Sequence, residues 1–201
     1  MVGPLGAVII SYLIGSIPFG YLLARLKGLN ITEHGSGNIG ATNVWRNMGP
    51  AAGLAVLLLD MGKGAAAVFI GRAMGGAETE LLTAAAALCG HSWSVFLGFK
   101  GGKMIATGGG IVLAMSPLLV LVGLVVWLVT VGLSRYVSLG SMLAAASVPI
   151  TMTVIKMDPW HIAFGVLMTA AAVYKHRANI KRILAGTEFK VDLKIAKGGR
   201  R

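Results

Sequence analysis

One segment of the chain combines closely spaced glycines with small polar residues. It has the sequence Gly-Ser-Gly-Asn-Ile-Gly-Ala-Thr-Asn at residues 35–43 and is followed by Arg46. Glycines at this density let backbone N–H groups converge on an anion, and an arginine guanidinium can pair with phosphate oxygens through its planar fork. If a helix begins at Ala41, its N-terminus adds the positive end of a dipole. The segment is therefore a candidate phosphate site, and a flexible polar loop between membrane helices is the alternative.

A second motif, Asp-Met-Gly-Lys-Gly at residues 60–64, places a carboxylate and an ammonium group inside an apolar run. Asp60 and Lys63 are three residues apart and are therefore neighbours on one face of a helix. Charged groups at membrane depth usually face a protein interior or an aqueous cavity. Two roles are consistent with the sequence: mutual neutralisation within the protein, or contact of Lys63 with a ligand in the space that Gly62 and Gly64 leave.

A third motif, Phe-Leu-Gly-Phe-Lys-Gly-Gly-Lys at residues 96–103, encloses a glycine pair between Lys100 and Lys103 and is preceded by His91. This pattern predicts a second anion site. It is not a Walker A loop, because the spacing differs and no strand precedes it. The alternative is topological, since basic residues are typical of the cytoplasmic face of a membrane protein.

Two smaller polar clusters lie nearer the C-terminal end. His176 and Asn179 are three residues apart on one helix face, and Arg135, Ser138 and Ser141 form a similar set at the start of an apolar run. No spacing such as H-x3-H connects the histidines, and no serine nucleophile elbow or Cys/His arrangement is present. We therefore expect no metal and no cofactor, and chemistry by direct transfer between two bound substrates.

The elements that position these motifs are predicted to be membrane helices. The chain has 201 residues, of which 56% are hydrophobic and 12% are charged, whereas soluble domains contain about 25% charged residues. The net charge is +11, and nine of the eighteen lysines and arginines fall within residues 175–201. A basic segment beside a final membrane helix follows the positive-inside rule and contacts anionic lipid. We therefore expect membrane lipid, and no nucleic acid, as a partner.

Apolar runs predict an all-α, polytopic integral membrane protein with seven transmembrane helices. The predicted spans are residues 4–26, 50–74, 80–98, 104–116, 117–134, 139–157 and 160–175. The excess of basic residues alternates from loop to loop, which predicts that the N-terminus is outside and the C-terminus is cytoplasmic. We expect one membrane domain over residues 1–188 and a basic cytoplasmic tail over residues 189–201. The polar motifs then converge on the cytoplasmic side.

The motifs resemble those of a known family. The sequences at 35–46, 60–64 and 96–103 are similar to the three motifs of the bacterial acyl-phosphate:glycerol-3-phosphate acyltransferases of the PlsY type. The Arg-Tyr-Val-Ser stretch from Arg135 and the His-Arg-Ala-Asn-Ile stretch from His176 match the later part of the pattern. The resemblance extends to about residue 188.

The resemblance implies a seven-helix enzyme of the bacterial inner membrane whose active site faces the cytoplasm. Such an enzyme transfers an acyl group from acyl phosphate to the sn-1 hydroxyl of glycerol 3-phosphate. The products are 1-acyl-glycerol 3-phosphate (lysophosphatidate) and phosphate, and the reaction is the first step of phospholipid synthesis. No metal is used, and a functional link to the soluble enzyme that makes acyl phosphate is implied.

The motifs and the resemblance together give two sets of candidate site residues. The predicted catalytic residues are Arg46, Lys103, His176 and Asn179. The predicted substrate- and phosphate-binding residues are Ser36, Gly37, Asn38, Gly40, Thr42, Asn43, Lys63, His91, Lys100, Gly101, Gly102, Ser138 and Ser141. In the expected reaction the glycerol hydroxyl attacks the acyl carbonyl directly, and its proton passes to the leaving phosphate or to a side chain such as His176.

Three residues depart from the family pattern. Met104 stands where the family commonly has glycine. Ser92 stands where the family often has asparagine or tyrosine, and Ser94 stands where it often has proline.

Two other classes of protein remain as alternatives. A transporter for a phosphorylated small molecule would have a midplane site and an internal repeat, and no convincing repeat is present. A noncatalytic lipid-binding scaffold would not need paired anion sites.

Overall fold

A computed structural model describes residues 3–191, which form helices joined by loops and contain no strand. The predicted all-α class is thereby confirmed for the described part of the chain. Its helices are α1 Pro4–Ser16, α2 Phe19–Leu26, α3 Ala41–Met48, α4 Pro50–Ser92, α5 Ile105–Met115, α6 Pro117–Ser134, α7 Val137–Val154, α8 Pro159–Lys175 and α9 Arg177–Leu184, with single 3₁₀ turns at Ile31–Glu33 and Val95–Leu97.

The chain divides into two compact units, Met1–Val120 and Leu121–Arg201. A single domain over 1–188 stays a prediction, and most of the predicted tail, from residue 192 on, lies outside the described residues.

Helices cover all seven apolar segments that the sequence predicts. Within residues 3–191, four stretches are long and apolar enough to cross a membrane: Pro4–Leu26, Pro50–Ser92, Pro117–Ser134 and Val137–Val154. Seven membrane crossings therefore stay a prediction. One predicted boundary is wrong, because the third span was expected to reach residue 98 and its helix ends at Ser92. The residues beyond fold back through an antiparallel bridge between Ser94 and Lys100, which a continuing helix would not allow.

The first apolar segment consists of two helices, α1 and α2, with a break at Ile17–Pro18. Proline has no backbone N–H, so the helix cannot continue its hydrogen bonds through this position. Two side chains from distant parts of the first unit satisfy the carbonyls at the break. Lys63 Nζ donates to the Ile17 carbonyl at 2.9 Å, and Ser94 Oγ donates to the Ser16 carbonyl at 2.6 Å.

Helix α4 is bent where the sequence predicts the gap between the second and third spans. Gly76 has a φ of 73°, a left-handed conformation that glycine adopts without a Cβ clash. The guanidinium group of Arg72 and the carboxylate of Glu80 pair across the bend, with Nε 2.7 Å from Oε2. The bend therefore reverses the chain while two oppositely charged groups hold its sides together.

Helices α4 and α5 approach each other closely through glycines. A Cβ on Gly110 would lie 1.8 Å from the Met61 carbonyl oxygen, and a Cβ on Gly64 would lie 2.1 Å from the Thr107 carbonyl oxygen. Small residues at such contacts let helix backbones pack directly inside a membrane, where the hydrophobic effect contributes little between helices. Helix α5, which contains the glycine triplet 108–110, is therefore both short and closely packed.

The glycine triplet provides a matched test of this contact. Gly110→Ala should destabilise the protein by about 1–3 kcal/mol or more, because the added methyl group overlaps a backbone oxygen that cannot move without separating α4 from α5. Gly109→Ala should change stability little, since its Cβ would meet nothing closer than the Met61 side chain at 3.9 Å. Thermal unfolding of both variants in detergent measures the difference, and equal unfolding temperatures would contradict the close contact.

The second unit contains α7 and α8, and a hydroxyl group of α8 bonds to the backbone of α7. Thr169 Oγ1 donates to the Ala145 carbonyl at 2.9 Å. After α9, residues 185–191, here called the C-terminal strap, run back to the start of α7. The Val191 amide donates to the Arg135 carbonyl at 2.9 Å, and the Lys190 ammonium group lies 5.4 Å from the centre of the Tyr136 ring.

Candidate functional site

The glycine-rich loop of the first unit folds around the side chain of Asn43. The Asn43 Nδ2 group donates to the carbonyls of His34 at 3.0 Å and Asn38 at 2.9 Å, and its Oδ1 accepts from the Ser36 amide at 3.0 Å. Asn43 is 2% exposed. The polar atoms of Asn43 therefore bond within the loop, and the predicted contact of Asn43 with phosphate stays a prediction. Its role in the structure is to set the shape of the loop.

Helix α3 begins at Ala41, which meets the condition under which a helix N-terminus faces the glycine-rich loop. The backbone N–H groups of a first helical turn point out of the helix end and carry its positive dipole. Thr42 and Arg46 are exposed on this helix and Ser36 is half-buried. The Gly40 amide donates to Asn38 Oδ1 at 2.9 Å, so these two residues stabilise the turn into α3.

The backbone conformation and close packing at position 37 of the loop require a glycine. Its φ is 68°, and a Cβ there would lie 2.9 Å from the Thr32 carbonyl oxygen. A second close approach fixes the loop against the membrane helices, because a Cβ on Gly20 of α2 would lie 1.9 Å from the Ile39 carbonyl oxygen. The loop therefore rests directly on α2.

The third motif forms a loop whose glycines pack against the end of α4. The Gly102 amide donates to the His91 carbonyl at 2.9 Å, and Ser92 Oγ donates to the Gly102 carbonyl at 3.2 Å. A Cβ on Gly102 would lie 2.1 Å from His91 Nε2, and one on Gly101 would lie 2.2 Å from the His91 carbonyl oxygen. The Gly102 N–H is used within the protein and the residue packs against α4, so its predicted contact with a substrate phosphate stays a prediction. Lys100 is exposed and Lys103 half-buried at the two ends of the pair.

The two loops share one hydrophobic cluster. Its buried members include Ile31, Ile39 and Val44 from the glycine-rich segment, and Leu97 of the third motif packs against it. The sequence separates these loops by about 60 residues, and the cluster brings them together in the first unit.

The second motif forms a buried ion pair, one of the two roles that the sequence left open. Lys63 Nζ lies 2.7 Å from Asp60 Oδ1, and their side chains are 2% and 3% exposed. His91 Nδ1 lies 3.7 Å from the same carboxylate oxygen. Since Lys63 also donates to the Ile17 carbonyl, its ammonium group contacts two groups inside the protein. Contact of Lys63 and His91 with a substrate stays a prediction.

Substitution of the ion pair separates its structural role from ligand binding. Lys63→Met should reduce the free energy of unfolding by about 3–5 kcal/mol, because it leaves the Asp60 carboxylate buried without a cation. The double variant with Asp60→Asn should recover part of this loss, since no net charge then remains inside. Thermal unfolding in detergent measures both effects. A Lys63→Met protein that keeps its unfolding temperature and loses only activity would favour the ligand role.

The second unit contains a buried polar cluster centred on Glu188. Its Oε1 accepts from Ser138 Oγ at 2.8 Å and from Asn179 Nδ2 at 2.7 Å, and its Oε2 accepts from Arg182 Nε at 2.7 Å. Burial raises the pKa of Glu188, but the hydrogen bonds from Asn179, Ser138 and Arg182 outweigh it and hold the pKa below its ordinary value. The contribution of this carboxylate to stability is therefore complete at neutral pH and is lost only as the pH falls through the lowered pKa.

His176 lies between α8 and α9 and is 3% exposed. Its Nδ1 is 2.7 Å from the Ala172 carbonyl oxygen, which can only accept, so Nδ1 carries the proton. In the neutral ring Nε2 is then the basic nitrogen. Ser141, one turn after Ser138 on α7, is also buried.

Sequence reasoning missed Glu188 and Arg182 as members of this cluster. The available signal was weak: a single carboxylate in a strongly basic segment, at the limit of the family resemblance. Arg182 belongs to the basic segment within residues 175–201, for which the sequence predicts contact with anionic lipid. Its partner is six residues further along the chain, in the C-terminal strap, and no helical periodicity links the two.

The three departures from the family pattern have local explanations. Met104 has a φ of 72°, a left-handed conformation that glycine adopts at no cost and in which a methionine is strained. Ser92 bonds to the Gly102 carbonyl, and Ser94 both accepts from the Phe96 amide and donates to Ser16. The serines therefore contribute hydrogen bonds, whereas Met104 keeps the glycine-like backbone.

An apolar groove opens beside the third motif within the first unit. It has a volume of about 330 Å³. Its lining residues are Ile17, Pro18, Tyr21, Leu22, Phe96 and Leu97. The groove runs from the break between α1 and α2 to the 3₁₀ turn that precedes Lys100. Among residues 3–191 no group of three or more histidine, cysteine, aspartate or glutamate side chains has the arrangement of a metal site.

The fold and these clusters define a multi-pass membrane protein with basic, glycine-containing loops. A model of the family described as glycerol-3-phosphate acyltransferase matches residues 5–186. A relative named glycerol-3-phosphate acyltransferase from Desulforudis audaxviator is 52% identical over 92% of this chain and 94% of its own. Another from Desulforamulus reducens is 51% identical over 93% of this chain and 94% of its own.

Solved structures agree with these sequence relatives. The crystal structure of PlsY, an integral membrane glycerol 3-phosphate acyltransferase, in its glycerol 3-phosphate form has a TM-score of 0.92 and 38% identity, covering 97% of this chain and 99% of that one. The lysophosphatidic acid form has a TM-score of 0.89 and 39% identity, covering 94% and 95% of the two chains. The chain belongs to the glycerol-3-phosphate acyltransferase family and is an integral membrane enzyme.

Proposed function

We propose that this glycerol-3-phosphate acyltransferase takes its acyl group from acyl phosphate and transfers it directly to the sn-1 hydroxyl of glycerol 3-phosphate. The observation that supports this most is the pairing of two basic, glycine-containing loops on one hydrophobic cluster in the first unit. Two phosphate-bearing substrates require two sets of anion-binding groups. The glycerol 3-phosphate and lysophosphatidic acid forms of the similar PlsY protein support the same substrate and product.

The phosphate-binding groups are divided between the two loops. The exposed Arg46, with Thr42 and the first N–H groups of α3, suits one phosphate, because a helix N-terminus and a guanidinium group both stabilise oxyanions. Lys100 and Lys103 suit the other. Asn43 and Gly102 act indirectly, by holding these groups in place.

The reaction needs little covalent chemistry from the protein, because the phosphate of an acyl phosphate is already a good leaving group. The glycerol oxygen bonds to the acyl carbonyl carbon, and the bond from that carbon to the phosphate oxygen breaks. We assign the hydroxyl proton to Nε2 of His176, which then passes it to the released phosphate anion. Positioning and charge stabilisation then account for the rate enhancement. A covalent acyl-enzyme trapped in a single turnover would overturn direct transfer.

Topology follows from the charges of the loops. We propose seven crossings with the N-terminus outside and both the C-terminus and the active site on the cytoplasmic side of the bacterial inner membrane. This arrangement gives access to acyl phosphate from the soluble enzyme that makes it. Impermeant thiol reagents applied to Lys27→Cys and Lys156→Cys in oriented vesicles test it, since the two positions should label from opposite sides.

Removal of the proposed phosphate ligands tests the function. Arg46→Ala and Lys103→Ala should each lower kcat/KM for lysophosphatidate formation by about 10- to 100-fold, the loss expected for one charge-assisted hydrogen bond. Lys27→Ala, which removes an equal charge from an exposed position outside both loops, should remain within about twofold of the unaltered protein. The assay uses purified protein, acyl phosphate and labelled glycerol 3-phosphate.

The same assay distinguishes the alternative functions. Labelled glycerol 3-phosphate that enters sealed proteoliposomes unmodified would favour a transporter. Equal activity of Arg46→Ala, Lys103→Ala and Lys27→Ala proteins would contradict the assignment of the two loops.

The apolar groove suits the acyl chain of the donor, because it is lined by hydrocarbon and aromatic side chains beside the third motif. Leu22→Trp should therefore raise KM for palmitoyl phosphate about tenfold relative to decanoyl phosphate, since the larger ring displaces about two methylene groups worth about 0.8 kcal/mol each. Leu13→Trp on α1, exposed to a similar extent outside the groove, is the control. An unchanged chain-length preference in Leu22→Trp would place the acyl chain elsewhere.

A further inference from the structure

The two walls of the apolar groove come from distant parts of the chain within the first unit. One wall is formed by residues 17–22, at the break between α1 and α2 and on the start of α2. The other wall is formed by Phe96 and Leu97 of the 3₁₀ turn that precedes Lys100. Because the walls are not consecutive in sequence, only tertiary contacts can fix the distance between them.

The hydroxyl group of Ser94 bonds to the backbone of both walls. Its Oγ donates to the carbonyl of Ser16, the residue before Ile17, at 2.6 Å and accepts from the amide of Phe96 at 3.2 Å. A serine hydroxyl has one proton and two lone pairs, so a single oxygen atom can make both bonds. Ser94 is 1% exposed, and hydrogen bonds in such an interior are stronger than in water.

The first wall is held in place independently of Ser94. Lys63 Nζ donates to the Ile17 carbonyl at 2.9 Å. Gly15 of α1 lies directly against the Ala87 backbone of α4, where a Cβ would overlap the carbonyl oxygen. With this wall fixed against α4, the Ser94 hydroxyl determines how far the second wall lies from it.

The serine at position 94 is a departure from the family pattern, which often has proline there. Ser94 has a φ of −68°, the value to which a proline ring is restricted. The backbone of the turn therefore accepts either residue. Proline has no hydroxyl group, so the bond to the Ser16 carbonyl is a property of the serine and not of the turn.

We infer that Ser94 is a positioning residue that fixes the width of the apolar groove and thereby selects straight acyl chains over bent ones. The inference rests on the proposed function and deepens it for the acyl donor. A saturated chain can lie extended in a narrow groove, whereas a cis double bond bends the chain and requires more width. A groove whose walls are tied together cannot widen without breaking a buried hydrogen bond, so the bent chain is overpacked.

The test compares palmitoyl phosphate with palmitoleoyl phosphate, which has the same number of carbons and one cis double bond. The full chain in lipid nanodiscs is supplied with glycerol 3-phosphate, and kcat/KM is measured for each donor. The unaltered protein should prefer the saturated donor. Ser94→Ala should raise the ratio of palmitoleoyl to palmitoyl kcat/KM about fivefold, the lower end of the penalty for extra bulk in a packed site. Ser94→Pro should raise it to a similar extent.

The matched control is Ser16→Ala at the same break. The Ser16 hydroxyl donates to the Tyr12 carbonyl within α1 at 2.8 Å, so its removal leaves the Ser16 carbonyl available to Ser94. The control should keep the ratio of the unaltered protein. A purely structural role of Ser94 would lower kcat/KM for both donors equally and leave the ratio unchanged, which overturns the inference. An equal rise of the ratio in Ser16→Ala would also overturn it.

Folding is controlled separately from selectivity. The Tyr12 hydroxyl donates to the Trp93 carbonyl at 2.8 Å, so a second bond keeps the turn attached to α1 when the Ser94 hydroxyl is removed. Unfolding temperature and a monodisperse elution profile establish that each variant is folded. If Ser94→Ala does not fold, the ratio in Ser94→Pro decides.

The outcome also separates this inference from the proposed function. Failure of the unaltered protein to form lysophosphatidate would refute the proposed function and the inference with it. Normal lysophosphatidate formation, with an altered chain-length preference in Leu22→Trp and an unchanged ratio in both Ser94 variants, would refute the inference alone.

Discussion

The Lys63 ammonium group donates to the Ile17 carbonyl at the point where the first apolar segment passes from α1 to α2. Pro18 prevents an unbroken helix there, and inside a bilayer a carbonyl left without a partner costs several kcal/mol. A buried cation is itself costly, and Asp60 neutralises it one helical turn away. The break in the first segment is therefore stabilised by a pair of charges on a different helix.

The positions of both loops follow from that break. Because the segment bends, α2 can run under the glycine-rich loop, where Gly20 lies against the Ile39 backbone. A second carbonyl at the break, that of Ser16, accepts a hydrogen bond from Ser94. Ser94 begins the turn that leads to Lys100. The ion pair thus supports the arrangement of basic groups without having to contact a substrate.

Much of the fold was predictable because it depends on local sequence. Apolar length located the helices, and the spacing of Asp60 and Lys63 placed them on one helix face, where pairing was one of two roles left open. The roles of individual site residues were less predictable. Asn43 has the residue type of a phosphate ligand, and only its inward contacts reveal that it shapes the loop.

The parts that sequence reasoning missed depend on partners far apart in the chain. Ser94 bonds to a carbonyl 78 residues away, and Ser138 bonds to a carboxylate 50 residues away. Helical periodicity reports neighbours three or four residues apart, so it contains no information about such pairs. The end of the third span was misplaced for the same reason, because its apolar residues continue into a loop that only tertiary contacts define.

The C-terminal strap also has a consequence for biosynthesis. Residues 185–191 leave the ribosome after every membrane helix has been made, and Glu188 is the residue that joins Ser138 to Asn179. The helices can insert and pack during translation, since domains fold as their sequence emerges. The cluster around Glu188 is completed only afterwards. A nascent chain halted before this point would lack the hydrogen bonds through which the strap joins α7 to α9.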